Sequence, residues 1–263
     1  MAAYLMFVKN GFRQNAVYRA NTVLYAITSM LYLLIQFSIW QALYATKATV
    51  EQVSLSQMLT YCVINQLVRA FTDDEIGSNL GAKIRSGEIG GDFVRPINLK
   101  LYLIADQLGN SAYEFCFNFI PIVIITVLCG AFTLPASLFH GAAFIVSLAL
   151  GILLGYLINY ALGLIVFWVK NNGFVSWLMR ALTNLFAGTV IPFWFYPPIL
   201  QKIAMVLPFR YMTFEPISIY LGKTADTEIF STIGMQLFWV AVIYLIGRFV
   251  WARAEKRVFV QGG

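Results

Sequence analysis

The sequence is poor in the residue types on which water-soluble catalysis and folding usually draw. It has one histidine and three cysteines in 263 residues, and only 11% of its residues are charged, against about 25% in a soluble domain. The single histidine, His140, excludes a His-x-x-x-His zinc site and weakens any histidine-dependent nucleophilic triad, so it reads as an interfacial bystander. Cys62, Cys116 and Cys129 all fall in apolar runs without metal-ligand spacing, and read as small buried hydrophobes. No nucleotide-binding loop is present: Gly222-Lys223-Thr224 imitates the end of one, but Ile217 stands where its first glycine belongs. No G-x-S-x-G elbow occurs either. The first 19 residues interleave Lys9, Arg13 and Arg19 with apolar residues and offer no small-residue cleavage site, so the first span is expected to be retained.

What the chain has in excess is apolar length. It is 60% hydrophobic with a mean hydropathy of +0.74, and several runs reach the roughly 20 residues needed to cross a hydrocarbon core about 30 Å thick. The fold class expected is all-α: a polytopic integral membrane protein of six spans forming a single transmembrane domain over 1–263. The runs place those spans at about 23–44, 54–71, 103–128, 138–169, 174–193 and 233–250. Residues 4–18 put Leu5, Val8 and Phe12 on one helical face and Lys9 and Arg13 on another, an elbow helix expected to lie in the membrane interface. Gly151, Gly155 and Gly163 in the fourth run include a G-x-x-x-G spacing that lets helices approach closely. From 194 to 231 the chain stays aromatic and apolar but is broken by Pro197, Pro198, Pro208 and Pro216, so short re-entrant helices are expected there on the extracellular side.

The net charge of +6 does not point to nucleic acid, because the basic residues sit at the ends of the apolar runs. Lys47, Lys202, Arg210 and Lys223 fall on one side, and the other fourteen of the eighteen Lys and Arg on the opposite side. The positive-inside rule then makes both termini and the 72–100 segment cytoplasmic.

That segment is the longest non-apolar stretch. Thr72-Asp73-Asp74-Glu75 has the form of a capping box, Ile76, Leu80 and Ile84 recur at four-residue spacing away from Lys83 and Arg85, and Gly87 stands where a C-terminal cap belongs. It describes a short amphipathic helix held in a fixed shape, either for docking a partner or for resting on headgroups. Within the spans, Glu114 stands out as an intramembrane acid. It is either a substrate or proton contact or a structural one, for example to Asn118 or Asn159; Asn159 in turn either bonds between helices or faces a pathway.

The order of parts resembles the permease subunit of a type-2 ABC exporter. The sharpest stretch is Arg85-Ser86-Gly87-Glu88-Ile89-Gly90-Gly91-Asp92-Phe93-Val94-Arg95-Pro96-Ile97-Asn98, similar to the Arg-Pro run after that family's coupling helix, with Val94 and an extra glycine as departures. Leu207-Pro208-Phe209 and Tyr220-Leu221-Gly222 resemble the end of the family pattern. The resemblance implies a non-catalytic chain that forms half of a pathway with a second permease copy or paralogue. It implies two cytoplasmic ATPase subunits, with ATP and magnesium bound there and not on this chain, and a bacterial plasma (inner) membrane location.

By the same resemblance, Asp73, Asp74, Glu75, Ile76, Leu80, Lys83, Ile84 and Arg85 form the coupling helix, with Gly87, Arg95 and Pro96 fixing its angle; charging Leu80 and Ile84 should uncouple it. Trp194, Phe195, Tyr196, Pro208 and Tyr211 would shape an outer gate, and spans one and five the dimer contact. An aromatic-rich apolar pathway favours amphiphiles over small ions. The competing readings are an intramembrane lipid-modifying enzyme, which would need a catalytic constellation at one depth, and a passive scaffold or channel, which would have no ATPase partner.

Overall fold

A computed structural model describes residues 2–17, 19–72, 75–94, 98–169 and 172–261. Almost all of that chain is helix. In order it forms α1 (Ala2–Val17), α2 (Arg19–Tyr44), a two-stranded turn (Thr49–Val50 with Val53–Ser54), α3 (Leu55–Thr72), α4 (Glu75–Ser86), α5 (Ile89–Val94) and α6 (Leu99–Glu114). A single wide π turn over Phe115–Phe119 joins α6 to α7 (Ile120–Leu128). Then come α8 (Leu138–Leu164), α9 (Val166–Val169), α10 (Asn172–Phe186), α11 (Pro198–Met205), α12 (Phe214–Tyr220) and α13 (Asp226–Gln261).

Among the described residues, four helices are long and apolar enough to cross a membrane: Thr22–Tyr44, Leu99–Leu128, Leu138–Val169 and Asp226–Ala254. The third, 32 residues long, measures about 48 Å at 1.5 Å per residue, and it is the spine of the molecule. Its small residues are the contact points. A side chain at Gly151 would meet the Met212 carbonyl at 2.6 Å, one at Gly155 would meet Thr72, and one at Gly163 would meet the Gly77 backbone at 2.9 Å. The glycine row therefore seats the 209–213 segment, the end of α3 and α4 in succession on one helix. Asn159 donates to the Thr72 carbonyl at 3.1 Å, a bond between helices on the same face. From the other side, Gln236 of α13 donates to the carbonyls of Ser147 and Tyr211, at 3.0 and 2.9 Å.

Several expectations change. α1, which covers the expected elbow, runs lengthwise along α6, because Gly11 and Gly109 let the two backbones touch. Phe7 meets Tyr102, Phe12 meets Tyr113, and Asn15 donates to Asn110 at 3.1 Å, leaving Leu5, Lys9 and Arg13 outward. The Thr72 hydroxyl donates to the Val68 carbonyl at 2.9 Å, and the rest of the expected capping box, Asp73, Asp74 and the Glu75 side chain, lies outside the described residues. α10 stops at Phe186 rather than continuing to 193, because Gly188 takes a left-handed φ of 75° and ends the helix. α13 begins at Asp226, earlier than 233, with Asp226 and Glu228 favouring its N-terminus. Cys116 and Cys129 are exposed on the outer surface, and only Cys62 is buried.

Lys83, Lys100 and Arg253 lie at one end of the helices. Lys83 lies over Tyr102, Lys100 over Tyr244 at 3.9 Å, and Arg253 over Phe249. At the opposite end Lys223 donates to the Gln52 carbonyl and His140 faces Asp226 at 3.5 Å.

A polar cavity beneath an aromatic roof

Polar residues on several helices face one another instead of the surrounding apolar surface. α3 contributes Gln66 and Arg69, α6 contributes Gln107 and Glu114, the π turn contributes Asn118, and α10 contributes Ser176, Arg180, Thr183 and Asn184. α2 closes the side with Tyr25, Ser29 and Tyr32. Within each helix these positions recur at three, four or seven residues, which puts them on one stripe. Together they line a cavity of about 530 Å³ that reaches from Ser78 on α4 to Thr189 and Ile122, well within the range of small-molecule sites.

The cavity walls are held individually. The Arg69 guanidinium lies 5.2 Å from the Tyr32 ring. Arg180 donates through Nε to the Ser176 carbonyl at 3.4 Å. Asn118 Oδ1 and Ser176 Oγ are buried without a protein partner; such an atom costs about 1–3 kcal/mol, and a bound molecule or water in the cavity relieves it. The π turn widens the helix where Glu114 and Asn118 meet the cavity, and π turns recur at functional sites.

Above the cavity α3 clamps the turn that follows α10. Tyr61 donates to the Gly188 carbonyl at 2.7 Å and Asn65 to the Thr189 carbonyl at 2.6 Å. A side chain at Gly188 would strike the Tyr61 hydroxyl at 2.9 Å, so glycine is required there twice over. Over this turn lies an aromatic layer: Trp194 against Phe214 at 4.9 Å and Tyr61 at 5.7 Å, Phe193 against Tyr196 at 4.8 Å, and Phe195 against Trp40 at 5.1 Å. Tyr196 donates to the Leu185 carbonyl at 3.0 Å. Beside the layer, Arg210 pairs with the buried Glu215, Nε to Oε1 at 2.7 Å. Burial pushes the Glu215 carboxyl up from its usual range, and the Arg210 charge opposes that shift.

A family model described as an ABC-2 family transporter protein matches residues 20–262. The chain belongs to that ABC-2 transporter family. Among individual curated proteins, none matches.

The sequence-predicted residues of this ABC-2 chain divide into three groups. Glu114 and Asn118 share the cavity, whereas Asn159 serves the α8–α3 contact and lies apart from it. Trp194, Phe195 and Tyr196 form the roof, with Pro208 and Tyr211 buried beside it. On α4, Ile76 and Leu80 are buried at 2% and 0% exposure against Leu99, Leu103 and Leu164, with Ile84 packed on the same cluster. The apolar face of α4 therefore points into the protein and is not available for docking. The exposed face is Asn79, Ala82, Arg85 and Ser86, followed by Gly87, whose φ of 78° closes the helix. Arg95 and Pro96 lie outside the described residues. Sequence reasoning missed Arg69 and Arg180 as cavity residues because span-end arginines resemble ordinary orientation signals. Their signal was the company of Gln66 three residues before Arg69, and of Ser176 and Asn184 four to either side of Arg180.

Proposed function

We propose that this ABC-2 chain is the permease subunit of an ATP-driven exporter, forming half of a translocation pathway and worked by separate cytoplasmic ATPase subunits. The observation that carries this reading is that α4 is built into the wall it would move. Ser78 of α4 and Thr72 at the end of α3 both line the cavity, and Gly77 is in backbone contact with α8. A push on the exposed face of α4 is delivered to the cavity without an intervening flexible element.

Six crossings follow if α3 and α10 also traverse the bilayer. They are shorter than the four long helices, and one stripe of each faces the cavity rather than lipid. The basic end, with α4 and both termini, is the cytoplasmic side of a bacterial plasma membrane, and the roof is the outer gate. α2, whose apolar stretch is only 6% buried, presents the face that a second copy or a paralogue covers. ATP and magnesium belong to the ATPase partners.

The test is the pair Ala82→Asp and Arg85→Glu on the exposed face. The double variant is expected to insert normally and stay monodisperse, yet lose capture of the ATPase subunits and transport. Undiminished capture would remove α4 from the coupling role. Leu80→Asp is the contrasting variant: it buries an unpaired charge and should abolish folding instead.

A further inference from the structure

Lys100 and Arg248 meet at one end of the molecule from distant parts of the sequence. Lys100 lies in the first turn of α6 with its ammonium 3.9 Å from the centre of the Tyr244 ring on α13, a contact that fixes where the charge sits. Arg248 stands one turn beyond Tyr244 on the same helix, and its charge is felt at Lys100. Among the described residues neither cation is paired with a carboxylate. Like charges held side by side repel, and an anion bridging them turns that repulsion into attraction. The Arg248 guanidinium is a planar fork suited to phosphate, and the Lys100 ammonium adds a point charge beside it.

The level of the pair and its flanks identify the anion. At 1.5 Å per residue, α13 carries Arg248 about 33 Å from Asp226, roughly one hydrocarbon thickness, and Lys100 follows the first residue of the Leu99–Leu128 helix. Both cations therefore stand at the rim of the apolar layer. From that rim inward the outer surface is apolar on both helices: Leu108 on α6 and Leu237 and Leu245 on α13 are exposed, and Leu237 shares the α13 face of Tyr244 and Arg248. With the basic end inward, as in the permease reading, we infer that Lys100 and Arg248 hold the phosphate of an anionic phospholipid of the cytoplasmic leaflet, its chains lying along Leu108, Leu237 and Leu245. A zwitterionic lipid brings its own ammonium to the cation pair. A free phosphate makes the charged contacts but has no chain to lay on the apolar surface.

The test is native mass spectrometry of the purified full-length chain in neutral detergent with equal amounts of dioleoylphosphatidylglycerol and dioleoylphosphatidylcholine, which share their chains and differ in head group. The phosphatidylglycerol adduct should exceed the phosphatidylcholine adduct about tenfold, and Lys100→Gln and Arg248→Gln should each lower that ratio about fivefold, the worth of one basic side chain at an anionic head group. Arg253→Gln, which removes a cation at the same end of the helices, should leave the ratio within about twofold. Equal adducts on the unmodified chain overturn the inference. An equal fall in all three variants replaces the named pair with diffuse positive charge, and an unchanged ratio in monodisperse glutamine variants removes the contacts. Loss of the adduct on adding inorganic phosphate overturns its lipid part. If a glutamine variant does not fold, Lys100→Met or Arg248→Met, which keeps an apolar stem, takes its place. The assay contains no ATPase and no transported molecule, so its failure is distinct from a failure of the permease reading.

Discussion

The contact between α4 and α8 sets a quantitative test. A methyl group at Gly163 would lie 2.9 Å from Gly77 Cα and 3.1 Å from the Gly77 carbonyl. Carbon atoms prefer about 3.5–4.0 Å, so Gly163→Ala lacks roughly 0.6–1.1 Å of room. Both obstructing atoms are backbone, and no rotamer change can make way for the methyl. The helices must separate, which opens a gap between Leu80 on α4 and the Leu164 and Tyr160 side chains it packs with. A gap of 0.5–1 Å forfeits about a quarter to a half of each contact's attraction, and overpacking of this kind costs about 1–3 kcal/mol.

The matched control is Gly234→Ala in α13, where an added methyl meets nothing within 4 Å. There the same substitution should gain up to about 1 kcal/mol of helix propensity. Heating detergent-purified protein and measuring the monodisperse fraction should show Gly163→Ala melting below the parent and Gly234→Ala at or above it. If Gly163→Ala matches or exceeds the parent, the close seating of α4 on α8 is refuted, and with it the rigid link between α4 and the cavity wall.

Other outcomes follow from single bonds. Tyr61→Phe keeps the ring in the roof but leaves the Gly188 carbonyl without its 2.7 Å donor, a loss of about 1–3 kcal/mol. A cysteine at Thr189 should then label several-fold faster from the side bearing Lys47 and Lys223, and unchanged labelling would mean that the clamp does not hold the roof. Arg210→Met leaves Glu215 buried without its cation, expected to cost about 3–5 kcal/mol at neutral pH. With only burial acting, the folded pKa of Glu215 stands above the unfolded one, so the folded state binds more protons between the two. Stability of that variant should therefore fall as pH rises through this window and recover toward the parent as pH drops to the ordinary carboxyl value near 4.5. A deficit that stays constant with pH would refute the pairing.

Much of the helical layout is legible in the sequence because apolar length is a one-dimensional signal. The run expected at 138–169 coincides with the third candidate span, Leu138–Val169, and the run at 23–44 with Thr22–Tyr44. Partners across space are not legible in that way. Ile76, Leu80 and Ile84 announce an apolar face but not whether that face meets this chain or another, and here it meets α6 and α8. The α1–α6 contact depends on two glycines nearly a hundred positions apart, each unremarkable alone. The π turn at Phe115–Phe119 lies in a phenylalanine-rich stretch without glycine or proline, so no local pattern marks it. The cavity was only half visible: Glu114 is conspicuous as an acid in an apolar run, while Arg69 and Arg180 sit where topology alone would put a cation.

The wide turn inside Leu99–Leu128 also divides that helix into two rotational phases. Residues before Phe115 and residues after Phe119 present their faces out of step with a single 3.6-residue count. A labelling or substitution scan along this helix should show one angular dependence up to Glu114 and a second, offset one from Ile120. Averaged over all 30 residues, the two phases would blur one another, and a single helical count would understate the inner side of each half.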